Sequence, residues 1–210
     1  MTRTAPPVPV TSRPPGRPRD PEVDRAILEA TIELLAEDGF GGLSIEAVAV
    51  RAGVGKTTVY RRWSSKIPLV VDALSHLKMP TSVVIPDEMT TRDALVRVLS
   101  ELVRAQGNEP TGRILAGLVD AMSRDAELAD AVRTGLVSSR RKVVFDLIER
   151  GIARGEIRPD VDLEVVADLL GGPIVMRTLL TGRPVTPRLA RQVVTLVLDG
   201  AATAQRGLAR

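Results

Sequence analysis

Apolar positions along the chain recur at helical rather than strand spacing. From Asp20 onward, Val23, Ile27, Ala30, Leu34 and Leu35 fall on one side of a helix. Asp20, Glu22 and Asp24 stand where the positive end of its dipole favours them, and Pro21 suits a first turn. Gly39 is a natural stop, and Phe40 and Leu43 supply bulk for a small core. Ser44 can cap a second helix with Glu46 in its first turn, and Ile45, Val48 and Ala52 share one face of it. Gly53-Val54-Gly55 breaks that helix. The pattern predicts a third helix from Lys56 to about Trp63. A fourth, capped by Ser64 or Ser65, carries Pro68 in its first turn, with Ile67, Val70, Ala73, Leu74 and Leu77 apolar.

After a loop from Pro80 to Met89 come longer periodic runs, roughly 91–107, 111–122, 126–154, 162–180 and 187–206. No strand alternation or hairpin signal separates them. Gly171-Gly172-Pro173 predicts a kink in the penultimate run. The first twenty residues are rich in proline and carry Arg13, Arg17 and Arg19, which predicts a disordered arm. Pro15-Gly16-Arg17-Pro18-Arg19 resembles part of an AT-hook core, so the arm is either a solvated tail or a basic segment for the minor groove.

Composition narrows the chemistry. Aromatics are 2% of the 210 residues, so the core must be aliphatic, which suits packed helices. With no cysteine and a single histidine, His76, the chain can form no disulfide, no thiol nucleophile and no multi-histidine metal site. No role falls to His76, and no cofactor is expected. The amino terminus lacks an apolar signal segment and no apolar run is long enough to span a bilayer, so the expected location is cytoplasmic. The net charge of +3 is modest, so its placement matters more than its sum.

That placement is concentrated around Gly53-Val54-Gly55-Lys56-Thr57-Thr58. The letters resemble a nucleotide-binding loop, which would make the chain a helical ATPase or GTPase. Such a loop needs a first glycine at position 50, where Val50 stands, and a buried strand before it, where a capped helical pattern stands. Leu196-Val197-Leu198-Asp199 has the letters of the second, acidic strand but lies inside an amphipathic run. Two short helices around a glycine turn instead make a helix-turn-helix, whose second helix enters the major groove. Arg51, Lys56, Arg61, Arg62 and Lys66 put five positive charges and no acid into sixteen residues. Positive charge there displaces counterions from DNA. Thr57, Thr58, Arg61 and Arg62 are expected on the outward face of the third helix, with Val59 and Trp63 pointing inward.

Residues 23–74 resemble the DNA-binding domain of the TetR/AcrR family of transcriptional regulators. The resemblance rests on Leu43-Ser44-Ile45-Glu46-Ala47-Val48-Ala49, then Ala52-Gly53-Val54-Gly55-Lys56-Thr57-Thr58-Val59-Tyr60-Arg61-Arg62-Trp63, then Ser65-Lys66. Gly55 departs from the serine that commonly caps the recognition helix, and Trp63 replaces the commoner phenylalanine. The resemblance implies that Thr57, Thr58, Arg61 and Arg62 face the groove, that Ser44, Tyr60 and Lys66 contact phosphate, and that Lys56 joins them at the DNA.

It further implies an all-α chain. An arm of residues 1–20 would precede a three-helix DNA-binding domain, 21–66, and a larger helical domain, 67–210, that binds an effector and dimerises. The last two runs, 162–180 and 187–206, would pair with their mates through Val166, Leu169, Leu170, Ile174 and Leu179 and through Val193, Val194, Val197 and Leu198. Met122, Phe145 and Met176 are candidate pocket residues, and scarce aromatics point to an apolar or amphipathic effector. The expected function is a homodimeric repressor released from a palindromic operator by that effector. A helical adaptor without DNA binding or ligand keeps the same fold.

Overall fold

The computed structural model describes residues 20–76, 85–106 and 109–201. The expected arm, the tip of the Pro80–Met89 loop, Leu77 and the end of the last run lie outside the described residues. Ten α-helices follow one another, and no strand occurs among the described residues. They are α1 (Pro21–Gly42), α2 (Ile45–Arg51), α3 (Lys56–Tyr60), α4 (Lys66–His76), α5 (Thr91–Gln106), α6 (Glu109–Arg124), α7 (Ala126–Val132), α8 (Ser138–Ala153), α9 (Leu163–Met176) and α10 (Pro187–Ala201).

The caps are the ones the sequence requires. Asp20 accepts from the Glu22 amide at 3.1 Å, Ser44 from Ala47 at 3.1 Å and Asp125 from Leu128 at 2.9 Å, each satisfying an otherwise orphan helix donor. At Gly39 the backbone enters the left-handed region (φ 67°) and closes the regular part of α1. The regular part of the third helix is shorter than expected. It ends at Tyr60, and Arg61 and Trp63 continue the turn with amides donating to the carbonyls of Thr57 and Val59.

Two of the long runs are continuous but irregular. Arg133–Val137 forms a π-helical turn between α7 and α8, and Arg177–Thr181 forms another after α9. The helix runs on through Pro173, and the irregularity comes one turn later.

The apolar side chains form two cores. In the first, Ile27, Leu34 and Leu35 of α1, Val48 of α2 and Val59 of α3 pack with Leu69, Val70 and Leu74 of α4. Ile114 and Leu118 of α6 and Leu128 and Val132 of α7 complete it, so this core is not confined to residues 21–66. The second joins α5, α8, α9 and α10 through Leu95, Leu99, Ile148, Leu170, Ile174 and Val194. The α4 helix therefore packs on α1 on one side and on α7 and its π-turn on the other. At Gly135, within that π-turn, an added Cβ would come within 2.7 Å of a methyl of Val71, so only glycine permits the approach.

Between α5, α8 and α9 lies a cleft of about 130 Å³ lined by Val98, Leu102, Val143, Val144, Leu170 and the arginines Arg140 and Arg141. None of the expected pocket residues lines it. Met122 packs against the first core, Phe145 lies beneath the Arg141 guanidinium at 5.6 Å, and Met176 is exposed. The wall is built from β-branched and leucine side chains, which bulk alone does not single out.

The α2–α3 turn depends on Gly53. Its φ of 67° lets its own amide reach Val50 O and the next reach Ala49 O, at 3.2 and 2.9 Å. The left-handed region costs a residue with a Cβ about 1–2 kcal/mol. No atom crowds the position, so Gly53→Ala is expected to lose about that much stability by backbone strain alone. Gly53→Asn is expected to lose less, because asparagine tolerates this region. Paired thermal denaturations of the two variants check both.

Candidate nucleic-acid interface

The outward surface of the helix-turn-helix is set by what its inward surface buries. Val59 is fully buried and Trp63 nearly so, which fixes the rotation of α3 against α1 and α2. The indole N–H of Trp63 donates to Asp72 of α4 at 2.9 Å, tying the end of the unit to the next helix. Gly55 caps α3 through its carbonyl, which accepts from Thr58 N–H at 2.8 Å, with no side-chain cap. Given that rotation, Lys56, Thr57, Tyr60 and Arg61 are exposed and Thr58 is half-buried.

The five positive charges of this segment do not stand free together. Arg51 forms a bidentate pair with Glu37, at 2.7 and 3.2 Å, and a further bond to Glu33 at 3.1 Å, both on α1. The hydrogen bond from Arg51 holds the Glu37 carboxyl below its ordinary range, and the two carboxylates hold Arg51 still more firmly protonated. Lys56 is bonded to Glu46 in the first turn of α2 and stands 5.5 Å from the Tyr60 ring centroid. Its hydrogen bond lowers the Glu46 carboxyl and raises the ammonium. Among the described residues, the Arg61 side chain has no ion-pair or hydrogen-bond partner.

Arg62 overturns the expectation for it. Its side chain is 8% exposed, paired with Asp24 of α1 and donating to the Thr58 carbonyl at 3.1 Å. Arg62 stands three residues after the buried Val59 and next to the buried Trp63, so helical rotation turns it toward α1 and away from the outward face of Arg61. It positions α3. Lys66 also has a structural bond: its ammonium donates to Phe40 O at 2.9 Å and sits 4.1 Å from the Phe40 ring centroid. An ammonium has three donors, so this bond leaves others free. Ser44, which caps α2, is half-buried at the same rim.

The surface left available for a partner is therefore Thr57, Tyr60 and Arg61, with Lys56 and its Glu46 beside them. Thr and Arg donate to base edges and phosphates, and a phenol reaches phosphate. The positioning residues Asp24 and Asp72 were not foreseen. They lie 38 and 9 residues from their partners, and no local pattern marks them. The segment also differs from a nucleotide-binding loop: Gly53–Lys56 joins two helices, and Leu196–Asp199 lies within α10.

Comparison with known proteins agrees with this geometry. Residues 27–73 match the family model described as bacterial regulatory proteins of the tetR family, and residues 85–197 match the tetracyclin repressor-like C-terminal domain. The HTH-type transcriptional regulator YdeS of Bacillus subtilis is 36% identical over 186 residues, covering 88% of this chain and 92% of that one. The DNA-binding transcriptional repressor TetR of Mycobacteroides abscessus is 32% identical over 158 residues, covering 75% and 82%. Among solved structures, the TetR family transcription regulator SCO0332 superposes with a TM-score of 0.65 at 34% identity, over 87% of this chain and all of that one. FadR from Bacillus subtilis, solved with stearoyl-CoA, shares the fold at a TM-score of 0.68 and 18% identity, over 84% and 98%. With both family models matched and the reading surface in place, the chain belongs to the TetR family of transcriptional regulators: it is a DNA-binding regulator and not an enzyme.

Proposed function

We propose that this chain is a homodimeric repressor, acting in the cytoplasm, that binds a palindromic operator and is released by a small apolar or amphipathic effector. The observation that carries the proposal is the exposed Thr57–Tyr60–Arg61 surface at the end of a unit whose other cations are anchored to acidic groups or a carbonyl. Residues 21–66 form the reading unit, and 67–210 hold the effector and the partner protomer. Lys56, Lys66 and Ser44 supply phosphate contacts, Lys56 exchanging Glu46 for a phosphate. Thr57, Thr58 and Arg61 face the groove.

The dimer reading rests on α9 and α10, with one correction to the sequence expectation. Val166, Leu170, Ile174, Val193, Val194 and Leu198 are buried within the chain's own second core. The apolar side chains left outside are Val165, Leu169, Val175, Met176 and Leu180 along α9 and its π-turn, and Leu196 on α10. Val165, Leu169 and Met176 recur at helical spacing along one face, which Gly172 keeps flat. Leu180 and Leu196 are 76% and 75% exposed, an unfavourable state for leucine in water and the expected one for half of an interface. Two such subunits would present their α3 surfaces to half-sites about one helical turn or a multiple apart. The α5–α8–α9 cleft supplies the effector site, and α4 links it to the reading unit. By linkage, DNA must weaken effector affinity by the factor by which effector weakens DNA affinity.

The test is selection of the preferred duplex from a random pool, followed by binding across a salt series. A dimer per site, with affinity falling steeply as salt rises, is expected. Arg61→Ala should weaken binding by about tenfold or more and flatten the salt dependence, with the melting temperature unchanged. Arg62→Ala should instead lower the melting temperature, by about 1–3 kcal/mol of stability, because Asp24 loses its partner. If no sequence is enriched and Arg61→Ala binds as the parent does, the chain is a helical adaptor rather than a repressor. Leu180→Asp should yield monomers in sedimentation and lose operator binding; a variant that stays dimeric would place the interface elsewhere.

A further inference from the structure

The α5–α8–α9 cleft is apolar but for two arginines of α8, and their circumstances differ. Arg141 is matched in charge: it pairs with Asp168 at 2.5 Å and with Glu164, and donates to the Glu164 carbonyl at 3.1 Å. Both of those carboxylates are turned largely to solvent. Arg140 is not saturated. Among the described residues no carboxylate lies within ion-pair distance of it. Its one hydrogen bond is a long one, 3.4 Å, to the carbonyl of Leu74. Removal from water without a counter-charge pushes its pKa down to about 10. A half-buried guanidinium with spare donors beside an apolar hollow is a site short of one anion. The planar fork matches a carboxylate through two parallel bonds.

Leu74 gives the vacancy a consequence. Its carbonyl lies in the last described turn of α4. The guanidinium there ties that turn of α4 to α8. Two residues earlier, Asp72 holds the indole of Trp63 at the end of the reading unit. One residue before that, Val71 lies against Gly135 in the π-turn that leads into α8. An anion that draws Arg140 off Leu74 takes it from the helix that holds Trp63 through Asp72.

We infer that the cleft takes a monocarboxylate on a small apolar body, its head bound by Arg140 and its tail by Val98, Leu102, Val143, Val144 and Leu170. A carboxylate held by two parallel bonds turns the guanidinium toward the cleft and draws it off Leu74, which frees the last described turn of α4 from α8. The inference deepens the effector reading above and rests on it for its regulatory half only. The size of the body follows from the cleft: about 130 Å³ is close to the ~150 Å³ apolar cavity that accommodates benzene. One unmatched guanidinium calls for one negative charge.

The experiment is calorimetric titration of the full-length protein with benzoate and hexanoate, against benzamide and hexanamide of the same size. The parent should bind the carboxylates about tenfold or more better than the amides. Arg140→Gln should bring that ratio close to one while binding the amides as the parent does, which also shows that its cleft is intact. Arg140→Lys should retain part of the preference. A parent that binds neither acid, or that does not distinguish acid from amide, overturns the inference, as does an Arg140→Gln variant that keeps the preference. Operator binding with and without the preferred acid is a separate arm. If the acid binds through Arg140 and operator affinity does not change, the carboxylate site stands and effector release fails.

Discussion

The burial of α4 is the constraint on which the rest of the structure depends. Leu69, Val70, Ala73 and Leu74 are almost without solvent contact, shared between α1 on one side and α7 with its π-turn on the other. A helix held on both sides cannot shift without moving its neighbours, because packed interiors are close to crystal density and transmit displacement. Asp72 extends the constraint to Trp63 and hence to α3, and Arg140 extends it to α8 and the cleft. The same helix is therefore tied to the end of the helix-turn-helix, a wall of the first core and the neighbour of the α5–α8–α9 cleft through Arg140.

Electrostatics decide what the DNA-binding unit shows. A cluster of five cations on a small fold repels itself, and the chain answers with acids supplied from α1 and α2. Exposed pairs of this kind contribute little stability, so Glu33, Glu37 and Glu46 matter chiefly for orientation. The Arg62–Asp24 pair is different, because its guanidinium is withdrawn from water and each partner compensates the other. The result is one uncommitted guanidinium, Arg61, at the place where a groove would meet the protein.

Local signals in the sequence carried the helix-turn-helix almost completely. Ser44 as cap, Gly53 as turn, and Val59 with Trp63 as the buried pair each follow from chemistry within a few residues. Arg62 was misplaced because its charge suggested the outer face, while its position beside Val59 and Trp63 turns it toward Asp24, a partner 38 residues away that no local pattern marks. The division of α9 into buried and exposed faces escaped the sequence for a related reason. That helix is apolar on two sides, so periodicity gives two answers, and the contact with α10 and α5 decides that Val166, Leu170 and Ile174 go inward. The cleft was illegible because its character comes from one unpaired arginine among aliphatic neighbours, and pairing is a tertiary property.

The central claim is that two such chains present their α3 surfaces together at a fixed spacing. The chain has no cysteine, so Val50→Cys, at a position 83% exposed on α2, accepts a single spin label. Dipolar distance measurement between the labels, on the selected operator, tests the claim most directly. The account predicts one narrow interprotomer distance, consistent with reading surfaces one helical turn apart, about 34–36 Å, or a multiple of it. An absence of dipolar coupling at concentrations where the DNA is bound would contradict it.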